Sequence, residues 1–372
     1  MIRSWRLKGI LAILMVILLF SGCQKEPLTI GLMGTMTGPN SDLSISGRRG
    51  AEIAVDEINQ SGGLLGREVQ LKRIDDENDK QIAMAGLNIC ADEGVKLVIG
   101  PYTSGMITPN IEKVNALDML LLGPTISADE LSGKDDHFIR FIASTQEQAV
   151  ILANYITEVS LQRVVILSDS RNDGFADALI QNFEEKIKIQ MGIDVSALRF
   201  NPQQDIALDT VIKEVKTLQP DGIFIIASAE DLAFIAQRLH QEAIDAKLFG
   251  PLWANTPELM RKGGKAVEGI VVIGGIDPEN GNPAFNAFSA TFTERFGEAP
   301  TFASVYSYET VKALAQAVEK AKSAEPDAVK AALIEIGSYE GLQGIYQIDA
   351  YGDNTRAYML FQNIGGEMRK VD

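Results

Sequence analysis

The chain has only two cysteines, Cys23 and Cys90, and two histidines, His137 and His240, among its 372 residues. So few cysteines exclude a disulfide framework and a cysteine metal site. The histidines lack the H-E-x-x-H spacing of a zinc hydrolase. Glycines are plentiful but wrongly spaced for nucleotides: Gly31, Gly34 and Gly38 do not form G-x-G-x-x-G, and Gly263-Gly264-Lys265 lacks the flanking residues of a P-loop. No G-x-S-x-G elbow offers a hydrolytic nucleophile, and the turn from Asp277 to Asn282 lacks the ligand pattern of a calcium loop. No metal, cofactor or enzymatic activity is therefore expected. Positive charge is scarce as well. Thirty-four Lys and Arg face 50 Asp and Glu, for a net charge of −16, or about −19 once Arg3, Arg6 and Lys8 leave with a cleaved leader. Such a surface repels phosphate backbones, so nucleic acid is not an expected partner.

Only one long apolar run is present, Ile10 to Phe20, behind the cations Arg3, Arg6 and Lys8. It is shorter than the roughly 20 residues that span a bilayer and has the form of an export signal. Leu19-Phe20-Ser21-Gly22-Cys23 resembles a bacterial lipobox, with Phe20 where Leu is commoner. That resemblance implies a signal peptide over 1–22, acylation of Cys23, and a lipidated tether over 23–27. The chain is then exported and held on a membrane by its lipid, facing the periplasm or the cell exterior. Cys90, on a helical stretch beside Ile89, is expected to be a buried, inert thiol.

At 46% hydrophobic and 23% charged, the remainder has a globular composition, and its length favours two lobes over one core. Short apolar strands alternate with helical periodicity. Strands are expected at Leu28–Met33, Glu68–Ile74, Lys96–Gly100 and Met119–Gly123, with helices at Gly47–Gln60, Asp79–Asp92 and Gly105–Ala116 between them. After Arg140 a second βα series begins and runs to Leu252. Alternation of this kind argues for α/β architecture with parallel sheets. Towards the end, strands Ile345–Ile348 and Ala357–Gln362 flank a turn and suggest a late hairpin.

Gly31-Leu-Met-Gly34-Thr-Met-Thr-Gly38-Pro39 is followed by Gly50-Ala51-Glu52-Ile-Ala54-Val-Asp56-Glu57-Ile58-Asn59, then Gly62-Gly63-Leu64-Leu65-Gly66-Arg67. Asp75-Asp76 and Val98-Ile99-Gly100-Pro101 come next, with later echoes in Phe138-Ile139-Arg140, Gly250-Pro251 and Val267-Glu268-Gly269. In this order the segments resemble the branched-chain amino-acid (Leu/Ile/Val)-binding branch of the type I periplasmic solute-binding proteins of ABC transporters. The resemblance implies two doubly wound lobes joined by three crossovers: lobe I over 28–144 and 275–357, lobe II over 145–274 and 358–372. It also implies a monomer that hands a small carboxylate, foremost an amino acid, to an ABC permease. A sensory receptor that presents its ligand to a signalling partner is the alternative role.

By the same resemblance Tyr102 and Ser104 sit in the loop that grips the ligand carboxylate, with Ser104 placed as a helix N-cap. Thr125 and Ser127 match positions that contact ligand, though both residue types also suit turns. Where α-amino-acid binders carry an acid after Gly-Pro, to pair with the ligand ammonium, this chain has Leu252 and Trp253. Asp173, Glu230 and Asp231 are the candidate replacements, each equally suited to the positive end of a helix. Asp173 and Ser228 also stand where Tyr is usual. Trp253, Tyr102, Phe175, Tyr306 and Tyr308 remain as apolar surfaces. A rebuilt pocket leaves an apolar or aromatic carboxylate without an ammonium as the alternative ligand.

Overall fold

The computed structural model describes residues 25–371 apart from 39–40, 109–110, 190–191 and 202–204; the signal segment and Cys23 lie outside these. The first sheet contains β1 (Leu28–Gly34), β2 (Val69–Asp75), β3 (Leu97–Ile99), β4 (Leu120–Gly123) and β5 (Phe138–Arg140), in the order β2-β1-β3-β4-β5. All its pairings are parallel. The second sheet takes β6 (Arg163–Asp169), β7 (Asp194–Phe200), β8 (Gly222–Ile226), β9 (Lys247–Gly250) and β10 (Val271–Gly274). Their order, β7-β6-β8-β9-β10, repeats that of the first sheet. The two lobes are thus topological copies, which explains why the α/β alternation starts afresh after Arg140.

A small third sheet holds β11 (Ser338–Gly341), β12 (Gly344–Ile348) and β13 (Asn354–Thr355). β14 (Met359–Ile364) then pairs antiparallel with β10, and β15 (Glu367–Lys370) adds the edge of the second sheet. The expected late hairpin does not form. Its two strands belong to different sheets, because the chain crosses between lobes at Arg356–Tyr358. Local alternation shows that a strand exists but not which partner it pairs with.

Helices cover both sheets. The first, α1 (Asp42–Gln60), starts five residues earlier than its apolar pattern suggests. Ser44 and Ser46 are buried there without being apolar. Ala51, Ala54, Val55 and Ile58 do form its buried face; each large aliphatic side chain removed from water contributes about 1.5–3 kcal/mol. α2 (Lys80–Asp92) is capped by Asp79, whose carboxylate accepts from the backbone N–H groups of Gln81 and Ile82. Cys90 is buried in the core beneath it. The expected helix Gly105–Ala116 is instead a single 3₁₀ turn, Ser104–Met106, and a short helix α3 (Ile111–Ala116).

In the second lobe, α4 (Thr145–Glu158) follows the first crossover, α5 (Asp173–Glu184) follows β6, α6 (Asp205–Leu218) follows β7, α7 (Ala229–Gln241) follows β8 and α8 (Pro257–Gly263) follows β9. The chain then returns through α9 (Pro283–Phe296), α10 (Phe302–Ala321) and α11 (Pro326–Ile336). Val311, Leu314 and Val318 of α10 share one core with α1 and the first sheet. Close approach of α10 to α1 is possible because Gly50 has no side chain: a Cβ there would lie 2.0 Å from the Ser304 carbonyl oxygen. Among the described residues no helix is long and apolar enough to cross a membrane.

Candidate ligand-binding cleft

In an open α/β sheet, ligands gather beyond the carboxyl ends of strands, where the strand order reverses. In each lobe that point lies between the first strand and the third, β1 and β3 or β6 and β8. The loops after β3, β4, β6 and β9 meet there and wall a small cavity of ≈ 20 Å³. Tyr102, Thr103, Ser104, Thr125 and Ser127 supply the first-lobe wall; Asn172, Phe175, Leu252 and Trp253 supply the second. Ile142 and Gln148 come from the first crossover and α4, while Leu43 and Phe302 close the end nearest the starts of α1 and α10.

The lobes touch across the cleft. Gly105 N–H donates to Asn172 Oδ1 at 2.9 Å, Lys80 pairs with Asp173 at 3.2 Å, and Thr256 Oγ1 donates to Asp42 at 2.6 Å. Asn182 also donates to Asp129. This is a closed arrangement, in which Ser104, Ser127, Gln148 and Leu252 are all nearly inaccessible.

The expected residues fall into two groups. Ser104, Thr125, Ser127, Leu252 and Trp253 line the cavity, and Tyr102 borders it. The Tyr102 ring, however, packs on Gly34 and Gly47, and its hydroxyl pairs with Ser307 at 3.0 Å. Ser104 is not an N-cap. Thr103 is the extended residue ahead of the turn, and the Ser104 hydroxyl instead accepts from Ala128 N–H. Thr125 donates to the Tyr102 carbonyl at 2.6 Å, whereas the Ser127 hydroxyl has no protein partner among the described residues. Trp253 stands edge-on to Phe175, ring centres 6.0 Å apart, forming an aromatic wall.

The other three lie outside the lining. Ser228 caps α7 through Asp231 N–H. Tyr306 lies at the back of the crossovers, where its hydroxyl donates to the Gly275 carbonyl and its ring covers the Arg356 guanidinium at 4.3 Å. Asp173 opens α5 and is held by Lys80 at the cleft rim. Nor do the other acids reach the cavity. Glu230 pairs with Lys262, and Asp231 shares Arg171 with Asp169.

Gln148 and Asn172 were not legible as site residues from sequence. Gln148 does carry a signal: it shares the inner face of α4 with Leu152 and Ile156, where an amide needs a polar partner. Asn172 carries none, being one polar residue in a polar loop.

A periodic arrangement of this kind has known counterparts. The family model described as "Periplasmic binding protein" matches residues 27–367. The Leu/Ile/Val-binding protein BraC3 of Rhizobium johnstonii is 28% identical over 332 residues, covering 88% of this chain and 89% of its own. In fold, a leucine-binding protein of Thermotoga maritima superposes with a TM-score of 0.86 at 22% identity, over 93% of this chain and 98% of its own. A solute-binding protein of R. palustris in complex with benzoate reaches 0.83 at 18% identity, over 93% and 95%. Twin lobes, a cleft at both switch points and a family match across nearly all the described residues lead to one conclusion: the chain belongs to the type I periplasmic binding proteins, in the branch that holds the Leu/Ile/Val-binding proteins.

Proposed function

We propose that the chain is an exported solute-binding protein, anchored by lipid on Cys23, that closes on a small carboxylate between its lobes and delivers it to an ABC permease. The observation that carries this reading is the cavity lined from both lobes at the carboxyl ends of their strands. A ligand that touches both walls favours closure only through its differential affinity for the closed form; moving the lobes from 1:99 to 99:1 takes about 5.5 kcal/mol of it. Hydroxyls on the first-lobe side suit an acid group, and the Phe175–Trp253 wall suits an apolar body. Relatives named for Leu, Ile and Val and a neighbour holding benzoate share the carboxylate as their ligands' common feature.

Small-angle scattering with and without a panel of carboxylates tests the closure, which appears as a ligand-dependent fall in radius of gyration. Membrane fractionation of Cys23→Ala tests the anchor: the variant should move to the soluble fraction. An unchanged radius with every carboxylate would remove the binding reading.

A further inference from the structure

We propose that the ligand of this cleft carries no ammonium group: it is an apolar carboxylate rather than an α-amino acid. The inference rests on the solute-binding reading and narrows its substrate class. It follows from which hydrogen-bonding atoms the closed cavity leaves available.

An ammonium brings three N–H donors and a positive charge, so it needs acceptors, at least one of them anionic when water is excluded. No carboxylate lines the cavity. The acids nearest in sequence to its second-lobe loops are engaged elsewhere: Asp173 with Lys80, Asp169 and Asp231 with Arg171, and Glu258 with Arg261.

The neutral groups point the same way. Gln148 Oε1 accepts from Leu252 N–H at 3.2 Å, and Asn172 Oδ1 accepts from Gly105 N–H at 2.9 Å. A backbone N–H requires the oxygen of each amide to face it, which fixes both orientations. What remains on each amide is the amino end, which can donate but not accept: Gln148 Nε2 lies beside the Tyr358 hydroxyl, and Asn172 Nδ2 donates to no protein acceptor among the described residues. Thr125 has already directed its proton to the Tyr102 carbonyl, which leaves its oxygen, like that of Ser127, as a neutral acceptor. The Ser104 hydroxyl oxygen accepts from Ala128 N–H, leaving its proton to give. The lining therefore offers donors and a few neutral hydroxyl oxygens, but no anion to meet an ammonium. A carboxylate, an acceptor only, fits this lining, and a buried donor left unmatched costs about 1–3 kcal/mol. Leu252, Phe175 and Trp253 face the remainder of the ligand with apolar surface.

Calorimetric titration of the purified full chain with two matched pairs tests this: 4-methylpentanoate against leucine, and phenylacetate against phenylglycine. Members of a pair differ at the amino group with the acid retained. The deaminated member of at least one pair should bind tenfold or more tightly than its amino partner. Gln148→Glu is the second arm. It keeps the oxygen that Leu252 N–H requires, puts a carboxylate into the cavity lining, and should weaken the deaminated acid at least tenfold while improving leucine. Equal or tighter binding of leucine and phenylglycine would overturn the inference but leave the solute-binding reading standing. An unchanged preference in Gln148→Glu would overturn it as well. Failure of all four compounds to bind or to change the lobe separation would overturn both.

Discussion

The Thr256 hydroxyl donates to the Asp42 carboxylate at 2.6 Å, joining the first turn of α1 to the loop ahead of α8 across the cleft mouth. Burial pushes the Asp42 carboxyl above its ordinary value of 3.8, against the lowering effect of the Thr256 bond, and Glu258 adds to the rise. Thr256 and Glu258 of the second lobe supply part of this environment, so the closed form should hold the proton more tightly than an open one. The resulting preference for closure is complete below the ordinary value and is lost as pH rises through the raised one. Ligand affinity should therefore increase on acidification from pH 7 towards about 4. Asp42→Asn keeps an acceptor for Thr256 and removes the titration. It should flatten the profile and tighten binding at neutral pH, measured by titration across that range.

Arg356, in the third crossover, lies between the rings of Tyr306 and Tyr346, 4.3 and 4.1 Å from their centres, and pairs with Glu309. Both charged side chains are almost fully buried. Arg356→Met strands the Glu309 carboxylate and should lower stability by about 3–5 kcal/mol. Adding Glu309→Gln should restore part of it. Urea denaturation of the two variants measures both effects; an equal loss in single and double variants would contradict the ion-pair account.

Gly50→Ala places a methyl group 2.0 Å from the Ser304 carbonyl oxygen, between backbones that cannot yield singly. Separation of α1 from α10 should cost about 1–3 kcal/mol. Because Leu43 and Phe302 lie near the starts of those helices and close one end of the cavity, ligand affinity should fall with stability. Denaturation and ligand titration on the same sample check the coupling.

Trp253 is the only tryptophan beyond Trp5, which lies in the segment expected to be removed. Its emission should report ligand entry directly, and Trp253→Phe should abolish the signal. Phe175→Leu removes the edge-on partner and should weaken an aromatic carboxylate about tenfold, equivalent to about 1.4 kcal/mol. A fluorescence titration with benzoate distinguishes this from an unchanged affinity.

Strand and helix positions were legible where the pattern was strong: β1, β2 and α2 lie within a residue or two of their apolar periodicity. The pattern failed where function or topology intervened. Thr103 to Met106 were expected to lead into a long helix, but one 3₁₀ turn sets Ser104 in the lining that Ser127 reaches from the loop after β4. Tyr306 and Ser228 carried site chemistry by residue type, yet tertiary contacts turned Tyr306 to the Gly275 carbonyl and Ser228 to its own helix.

By itself, the amino-acid order determined the α/β class, the duplicated alternation and the absence of an acid after Gly250-Pro251, because these depend on local periodicity and on residue identity. Only the tertiary structure decided that Met359–Ile364 joins β10, that Asp173, Glu230 and Asp231 are paired elsewhere, and that Gln148 gives its oxygen to Leu252 N–H. Pairing partners and amide orientations are fixed by groups distant in the chain, here Val271–Gly274 for the strand and Leu252 N–H for the glutamine. No local pattern encodes them.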